Sequence, residues 1–159
     1  MRFDTGEQDY VSYIRGMVGH EPVFLCAAVS LIENENGEIL LERRGNSDKW
    51  GFPGGLAELG ESLAETAVRE TREELGLITE VQELIGVYTK YFAQCANEDR
   101  FQSVTALFKA RITGGELCCD GVETTEARFF RRNELPQMYC TQHRDMLEDV
   151  LAGRRGVFR

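Results

Sequence analysis

The stretch "PGGLAELGESLAETAVRETREELG", residues 53–76, decides how this chain is read. Ser62-x-x-Glu65 is a capping box, in which serine hydroxyl and glutamate carboxylate each satisfy a first-turn N–H, so a helix is predicted from near Leu63. Gly76 stands where a left-handed residue ends such a helix. At about 100° per residue, Ala64, Ala67, Val68, Thr71 and Leu75 share one arc, the predicted core face. Glu70, Glu73 and Glu74 share the adjoining arc, and Glu65, Arg69 and Arg72 fall on the back. Three carboxylates on one face raise each other's pKa values, so their grouping calls for a compensating charge.

A solvated, salt-bridged face is the plain alternative, since Glu65 and Arg69 form an i,i+4 pair and Arg69 also reaches Glu73. The flanks favour a cation instead. Gly54 and Gly55, after Pro53, are free to take φ > 0 and let backbone approach a ligand. Glu61 adds a fourth carboxylate just before the cap. A glycine loop leading to a helix with three carboxylates suits a hard divalent ion, which takes oxygen ligands, water and substrate phosphates.

Working outward, the 159 residues fit one domain, read as residues 1–159, and 42% hydrophobic against 28% charged is the balance of a soluble globular protein. The net charge of −9 argues against broad binding to nucleic acid or an anionic membrane. The longest apolar run, Val23 to Ile32, is too short to span a bilayer, and "MRFDTGEQDY" is too acidic for a secretory signal, so the cytoplasm is expected. Cys26, Cys95, Cys118, Cys119 and Cys140 show no CxxC spacing, and His20 and His143 lie far apart; buried or half-buried free thiols are expected rather than a zinc site.

Residues 1–20 carry Val11, Ile14 and Val18 at helical spacing and predict an amphipathic N-terminal helix. "VFLCAAVSLI" reads as a buried strand, and Asn36-Gly37 before "EILLERR" suggests a hairpin to the next. "NSDKWGFPGG" reads as loop. Strands are predicted through "TEVQELIGVYTKYF", "FQSVTALFKARI" and "EARFF", with a turn and short strand at "GGELCCDG". "NELP" and a C-terminal stretch, 142–152, read as helical. The alternation predicts an α/β domain with a mixed sheet.

Gly55, Glu61 and Arg69-Glu70-Thr71-Arg72-Glu73-Glu74-Leu75-Gly76-Leu77 together resemble the box of the Nudix hydrolase family, here residues 55–77. Thr71 replaces the usual aliphatic residue, a mild departure on the core face. "YIRGMVGH", "ILLERR", "KWGFPGG" and "EARFFRRNELP" resemble the same family, so nearly the whole chain is covered. The resemblance implies an α/β/α sandwich with a mixed central sheet and hydrolysis of a small-molecule nucleotide, a nucleoside diphosphate linked to another moiety, with Mg²⁺ or Mn²⁺. It implies Glu70, Glu73, Glu74 and the Gly54 carbonyl as metal ligands, with Arg69 orienting the carboxylates and Glu61 supporting them. The ions would supply the positive charge that the acidic chain lacks.

The box does not settle the general base: Glu70 and Glu74 are candidates, as are Glu98, Asp99, Glu123 and Glu126 outside it. Arg43 and Arg44 are candidates for phosphate contact. Trp50, Tyr91 and Phe92 are candidates for stacking on a base, against the commoner role of such rings as packing. A homodimer through the N-terminal helix is compatible with the family. A nucleotide-binding or regulatory domain without turnover is the alternative within this fold, though its box is usually decayed. A scaffold with a solvated acidic helix would leave the glycine loop unexplained.

Overall fold

The apolar run Val23–Ile32 forms β1, whose neighbours determine the layout. In this computed structural model, which describes residues 9–45, 48–94 and 97–159, β1 pairs in parallel with β6 (Arg100–Gly115) over its whole length, Val23 opposite Phe101 to Ile32 opposite Ala110. Its other edge pairs antiparallel with the short β4 (Gly54–Leu56). Beyond β6 lie β5 (Leu77–Gln94) and the two-residue β8 (Val157–Phe158), giving a five-stranded mixed sheet ordered β4-β1-β6-β5-β8. A second, three-stranded sheet holds β3 (Trp50–Gly51), β2 (Ile39–Arg44) and β7 (Thr124–Phe130) in the order β3-β2-β7.

Alternation along β1 feeds two cores, as the period of two requires. Val29 and Leu31 join Trp50, Phe52, Leu107 and Met146, between the large sheet, the small sheet and α3 (Thr141–Leu151). On the other side, Ile32 packs with Leu40, Leu75 and Leu77, under the C-terminal end of α2 (Leu63–Leu75). The buried Thr71 hydroxyl donates to the Ala67 carbonyl at 2.7 Å and accepts from the Ser30 hydroxyl at 3.1 Å. Thr71 therefore carries the contact that an aliphatic residue would make by packing.

Both ends of α2 follow the sequence. The capping box forms reciprocally between Ser62 and Glu65, and Gly76 takes φ +68°. The buried face is rotated from the prediction: Thr66, Ala67, Thr71, Glu74 and Leu75 are buried, whereas Ala64 and Val68 are half-buried. Ala64 and Val68 line, with Arg72 and Val81, an open depression of about 740 Å³ outside the helix. The helix rolls because β4 approaches its other side and draws Glu74 inward.

Several expectations need correction. Asn36-Gly37 is a turn, but β1 and β2 part into different sheets, joined only by a bridge between Glu33 and Ile39. "NSDKWGFPGG" contains β3 and the first two residues of β4; its Asn46 and Ser47 lie outside the described residues. "NELP" forms a turn and not a helix, since Pro136 disfavours helical backbone before it. β6 runs on to Gly115, and "ELCCD" is irregular because it caps a helix: the N–H groups of Cys118 and Asp120 donate to the carbonyls of Leu75 and Glu74. Cys26 and Cys118 are exposed, Cys119 and Cys140 half-buried, and Cys95 lies outside the described residues.

The N-terminal helix of the described residues is α1 (Tyr10–Val18), capped by Asp9; residues 1–8 of the expected segment lie outside the described residues. No residue of α1 is buried. It is docked by polar contacts: Arg15 donates to the carbonyls of Gly19, Glu21 and Arg100, and the Tyr10 N–H to Glu58. No helix among the described residues is long and apolar enough to cross a membrane.

The other terminus is tied to the sheet edge. β8 pairs in parallel with β5, and the Arg159 carbonyl accepts from the Thr89 N–H. Beneath it, fully buried Asp149 accepts from Arg154 at 2.7 Å, Arg159 at 2.8 Å and Tyr88 at 2.9 Å, and these donors hold its carboxyl below the usual range against the cost of burial. Asp149→Asn removes the charge from all three bonds and is expected to cost about 2 kcal/mol in urea unfolding, whereas Arg154→Ala, whose guanidinium reaches water, should cost less than about 1 kcal/mol.

Candidate active site

Residues 53–55 bring bare backbone against α2. The Pro53 carbonyl accepts from Ser30, and Gly54 lies opposite Val29 with φ +141°, a conformation closed to L side chains. A Cβ on Gly54 would stand 2.2 Å from the Ala28 carbonyl oxygen; one on Gly55 would stand 2.6 Å from the Glu70 carboxyl. With no side chain in the way, the Gly54 N–H donates to Glu74 Oε2 at 2.9 Å.

Two arginines hold the carboxylates. Arg69 donates from Nε to Glu61 at 2.6 Å, from one amino group to Glu70 at 2.8 Å and Glu73 at 3.0 Å, and from the other to the Leu56 carbonyl and Glu61. Its hydrogen bonds, with the Glu58 N–H and Thr66 hydroxyl, hold Glu61 down to about 2 despite partial burial. Arg69 thus ties Glu61, Glu70 and Glu73 to the β4 backbone. Burial raises Glu70 above the carboxylate range, only partly offset by Arg69.

Glu74 is only 2% exposed, and burial pushes it up to about 9. Its partner is Arg44, which donates to Glu42, Glu74 and the Gly54 carbonyl. Glu42 is fully buried, accepts from the Thr124 hydroxyl at 3.0 Å, and is also raised by burial. The sequence reading missed this residue, because Ile39 to Glu42 are all buried and no alternation in the sequence marks Glu42 as inward.

Among the described residues no three His, Cys, Asp or Glu side chains close round one point as a cage. Glu74 turns to Arg44, while Glu70 and Glu73 turn to Arg69. The donors still fit a hard divalent cation. They are all oxygen, two carboxylates have pKa values raised by desolvation, and a guanidinium already bridges the Gly54 carbonyl and Glu74 as a cation would.

Beside Gly54 and Gly55 opens a cleft of about 450 Å³. Ala27, Val29 and Thr105 of the large sheet line it, as do Tyr91, Phe92 and Phe101 further along the same sheet and Arg44 of the small one. The start of α3 closes it with Tyr139, Gln142 and His143. Tyr91 is fixed by its hydroxyl to Asp145 at 2.8 Å, while Phe92 is 75% exposed. Trp50 is not at the cleft; it is buried edge-on to Phe130 at 4.7 Å, with Arg128 over its ring.

The remaining candidates are placed elsewhere. Arg43 pairs with Glu126 at 3.2 Å across β2 and β7. Glu123 is exposed in the turn before β7, its N–H donating to Asp120. Glu98 is exposed, and Asp99 is held by His20 and Asn97 near α1. Of the described candidates outside the box, Arg44 and the Gly54 backbone reach the carboxylates. Tyr139 and His143 were not singled out, because only the pairing of β3 with the chain before α3 brings them to the cleft.

Residues 24–150 match the family described as NUDIX domain. An ADP-ribose pyrophosphatase of Methanocaldococcus jannaschii is 35% identical over 132 residues, covering 82% of this chain and 75% of that protein. An 8-oxo-dGTP diphosphatase of Escherichia coli is 44% identical over 57 residues, covering 33% of this chain and 44% of that protein. Among solved structures, a MutT NUDIX hydrolase from Burkholderia pseudomallei superposes with TM-score 0.64 at 26% identity, covering 82% of this chain and 98% of that one.

The two glycines should behave differently when changed. Gly55→Ala meets only the end of the Glu70 side chain, so it should fold with Tm within about 4 °C of the parent. It should weaken Mn²⁺ binding, read by titration calorimetry, by at least about tenfold. Gly54→Ala meets backbone at a forbidden φ and should fail to give a cooperative thermal transition.

Proposed function

Because the chain belongs to the Nudix family and acts on phosphoric anhydride bonds, we propose that it cleaves a nucleoside diphosphate derivative of the ADP-ribose kind by water attack at phosphorus, with Mg²⁺ or Mn²⁺. The observation that carries this reading is that Glu70 and Glu74 stand against the Gly54–Gly55 backbone, and that this backbone with Arg44 lines a cleft that also holds aromatic rings. Glu70, Glu73, Glu74 and the Gly54 carbonyl would hold the metal. When bound, the ion supplies charge neutralisation on the pyrophosphate and lowers the pKa of a coordinated water.

The chain's own residues do the rest. Arg69 fixes Glu70 and Glu73 in place while it is itself fixed by Glu61 and the Leu56 carbonyl. Glu70 and Glu74 are the candidates for taking the proton of the attacking water, since both carboxyl groups stand against the Gly54–Gly55 backbone. Arg44 is the cationic side chain of the cleft wall and the candidate for meeting a phosphate oxygen. Tyr91 and Phe92 flank the volume a base or sugar would fill.

Two relatives name different substrates, ADP-ribose and 8-oxo-dGTP. Match length does not separate them, since a "Putative 8-oxo-dGTP diphosphatase" of Bacillus subtilis is 33% identical over 135 residues; the ADP-ribose reading rests on the slightly higher identity, 35% over 132. A panel of ADP-ribose, sugar nucleotides, dinucleoside polyphosphates and 8-oxo-dGTP, with Mg²⁺, tests this by the products released. ADP-ribose should give AMP and ribose 5-phosphate; a preference for 8-oxo-dGTP would overturn the substrate, and no turnover with any member would overturn the reaction. Excess chelator should abolish turnover but leave the far-UV circular dichroism unchanged, because both cores are built of apolar side chains that hold no metal. Glu74→Gln and Glu73→Gln should each lower kcat/KM at least about tenfold, roughly 1.4 kcal/mol of barrier, while Glu65→Gln, on the capping box, should leave it within about twofold.

A further inference from the structure

His143 is buried at the cleft wall, and its two ring nitrogens face different partners. The Phe52 N–H donates to Nδ1 at 3.0 Å, and the Tyr139 hydroxyl lies 2.8 Å from Nε2. A backbone N–H has only a proton to give, so Nδ1 must be bare. Burial and the nearby Arg44 cation keep the ring neutral, with a pKa of about 3. A neutral ring carries one proton, which must therefore be on Nε2. If the phenol donated instead, neither nitrogen would carry a proton, and the ring would be an imidazolate. Nε2–H thus donates to Tyr139, whose own O–H proton is not spent on His143.

The surroundings make this arrangement rigid. Tyr139 N–H donates to the Trp50 carbonyl at 2.8 Å, and the rings of Tyr139 and His143 lie 4.4 Å apart. Gly51 leaves the space they need, since a Cβ there would stand 2.4 Å from the Tyr139 ring. Gly51 lies opposite Glu42, and Arg44 is two residues further along the same strand, so the phenol is on the Arg44 side of the cleft.

We propose that Tyr139 is a substrate-binding residue whose hydroxyl, oriented by His143, donates to an oxygen of the substrate diphosphate beside Arg44. This rests on the hydrolase reading above and adds a neutral donor that the Nudix box does not contain. A phenol that already accepts from an imidazole N–H is a stronger donor, and a phosphate oxygen is the acceptor that gains most from it.

The test separates binding from structure. Tyr139→Phe keeps the ring and should raise KM for the panel substrate about tenfold, with kcat within about twofold, the size of a lost hydrogen bond to a charged group. His143→Gln can still donate from the Nε2 position and should stay near the parent. His143→Asn can satisfy Phe52 but not reach Tyr139, and should raise KM as Tyr139→Phe does. The double variant Tyr139→Phe/His143→Asn should be no worse than Tyr139→Phe alone. Calorimetry with ADP, inorganic pyrophosphate and adenosine locates the contact: Tyr139→Phe should weaken the first two equally and leave adenosine unchanged. An unchanged KM, equal effects of His143→Gln and His143→Asn, or a loss confined to adenosine would each overturn the proposal. If the parent turns over nothing in the panel, the hydrolase reading fails, and the ADP and pyrophosphate titrations still decide whether Tyr139 binds phosphate.

Discussion

Carboxylates drawn out of water set the terms for this molecule. Glu42 and Glu74 are almost wholly buried, and Glu70 is raised by burial, so the protein gathers acid groups where each opposes the charging of the next. Two guanidiniums offset this charge. Arg69 ties the helix to the strand through Glu61 and the Leu56 carbonyl, and Arg44 closes the gap between Glu74 and Gly54. The glycines follow from this constraint, because only backbone without side chains can come so near the helix. The roll of α2 follows too, since it carries Glu74 inward and leaves Val68 at the rim.

Most of this was legible in the chain. The capping box and Gly76 predicted α2 almost to the residue, because cap chemistry is local. Glu61, Arg69, Glu70, Glu73 and Glu74 were legible as a group because they share one helix and its cap, and spacing alone brings them together. Glu42 was lost because a charged residue in "ILLERR" reads as strand-edge polarity until the strand is known to be buried on both sides. Helical periodicity placed Val68 on the core face and Glu74 on the arc beside it; the approach of β4 buries Glu74 and leaves Val68 half-buried. That approach depends on Gly54 pairing with Val29, a contact that no periodicity encodes. The parting of β1 and β2 was hidden for the same reason: a turn at Asn36-Gly37 says that the chain reverses, not which sheet receives it.

Arg44 and Arg43 show how finely neighbouring residues divide their work. One reaches three groups of the carboxylate site, and the other pairs with Glu126 across the small sheet. The small sheet therefore contributes more than a cover for the core. It delivers Glu42 and Arg44 from β2 and Gly51 from β3, while Thr124 of β7 holds Glu42 from behind. The segment that caps α2 enters β7 through Asp120, which accepts from the N–H groups of Val122, Glu123 and Thr124. The end of the acidic helix and the support for Glu42 are thus joined by a few residues of chain.

The parallel pairing of β1 with β6 has a consequence for how the chain reaches this state. β1 is the most apolar strand, yet its partner begins only at Arg100 and its other neighbour is the three-residue β4. On a growing polypeptide, Val23–Ile32 must wait unpaired until most of the protein has been made, while β5 and β6 can close as a hairpin as soon as they emerge. The pairing of β1 with β6 therefore spans most of the chain and can close only after β6 has been made, whereas β5 and β6 meet over a short turn. The span in which β1 is uncovered is the period when this protein is most open to association with other copies of itself.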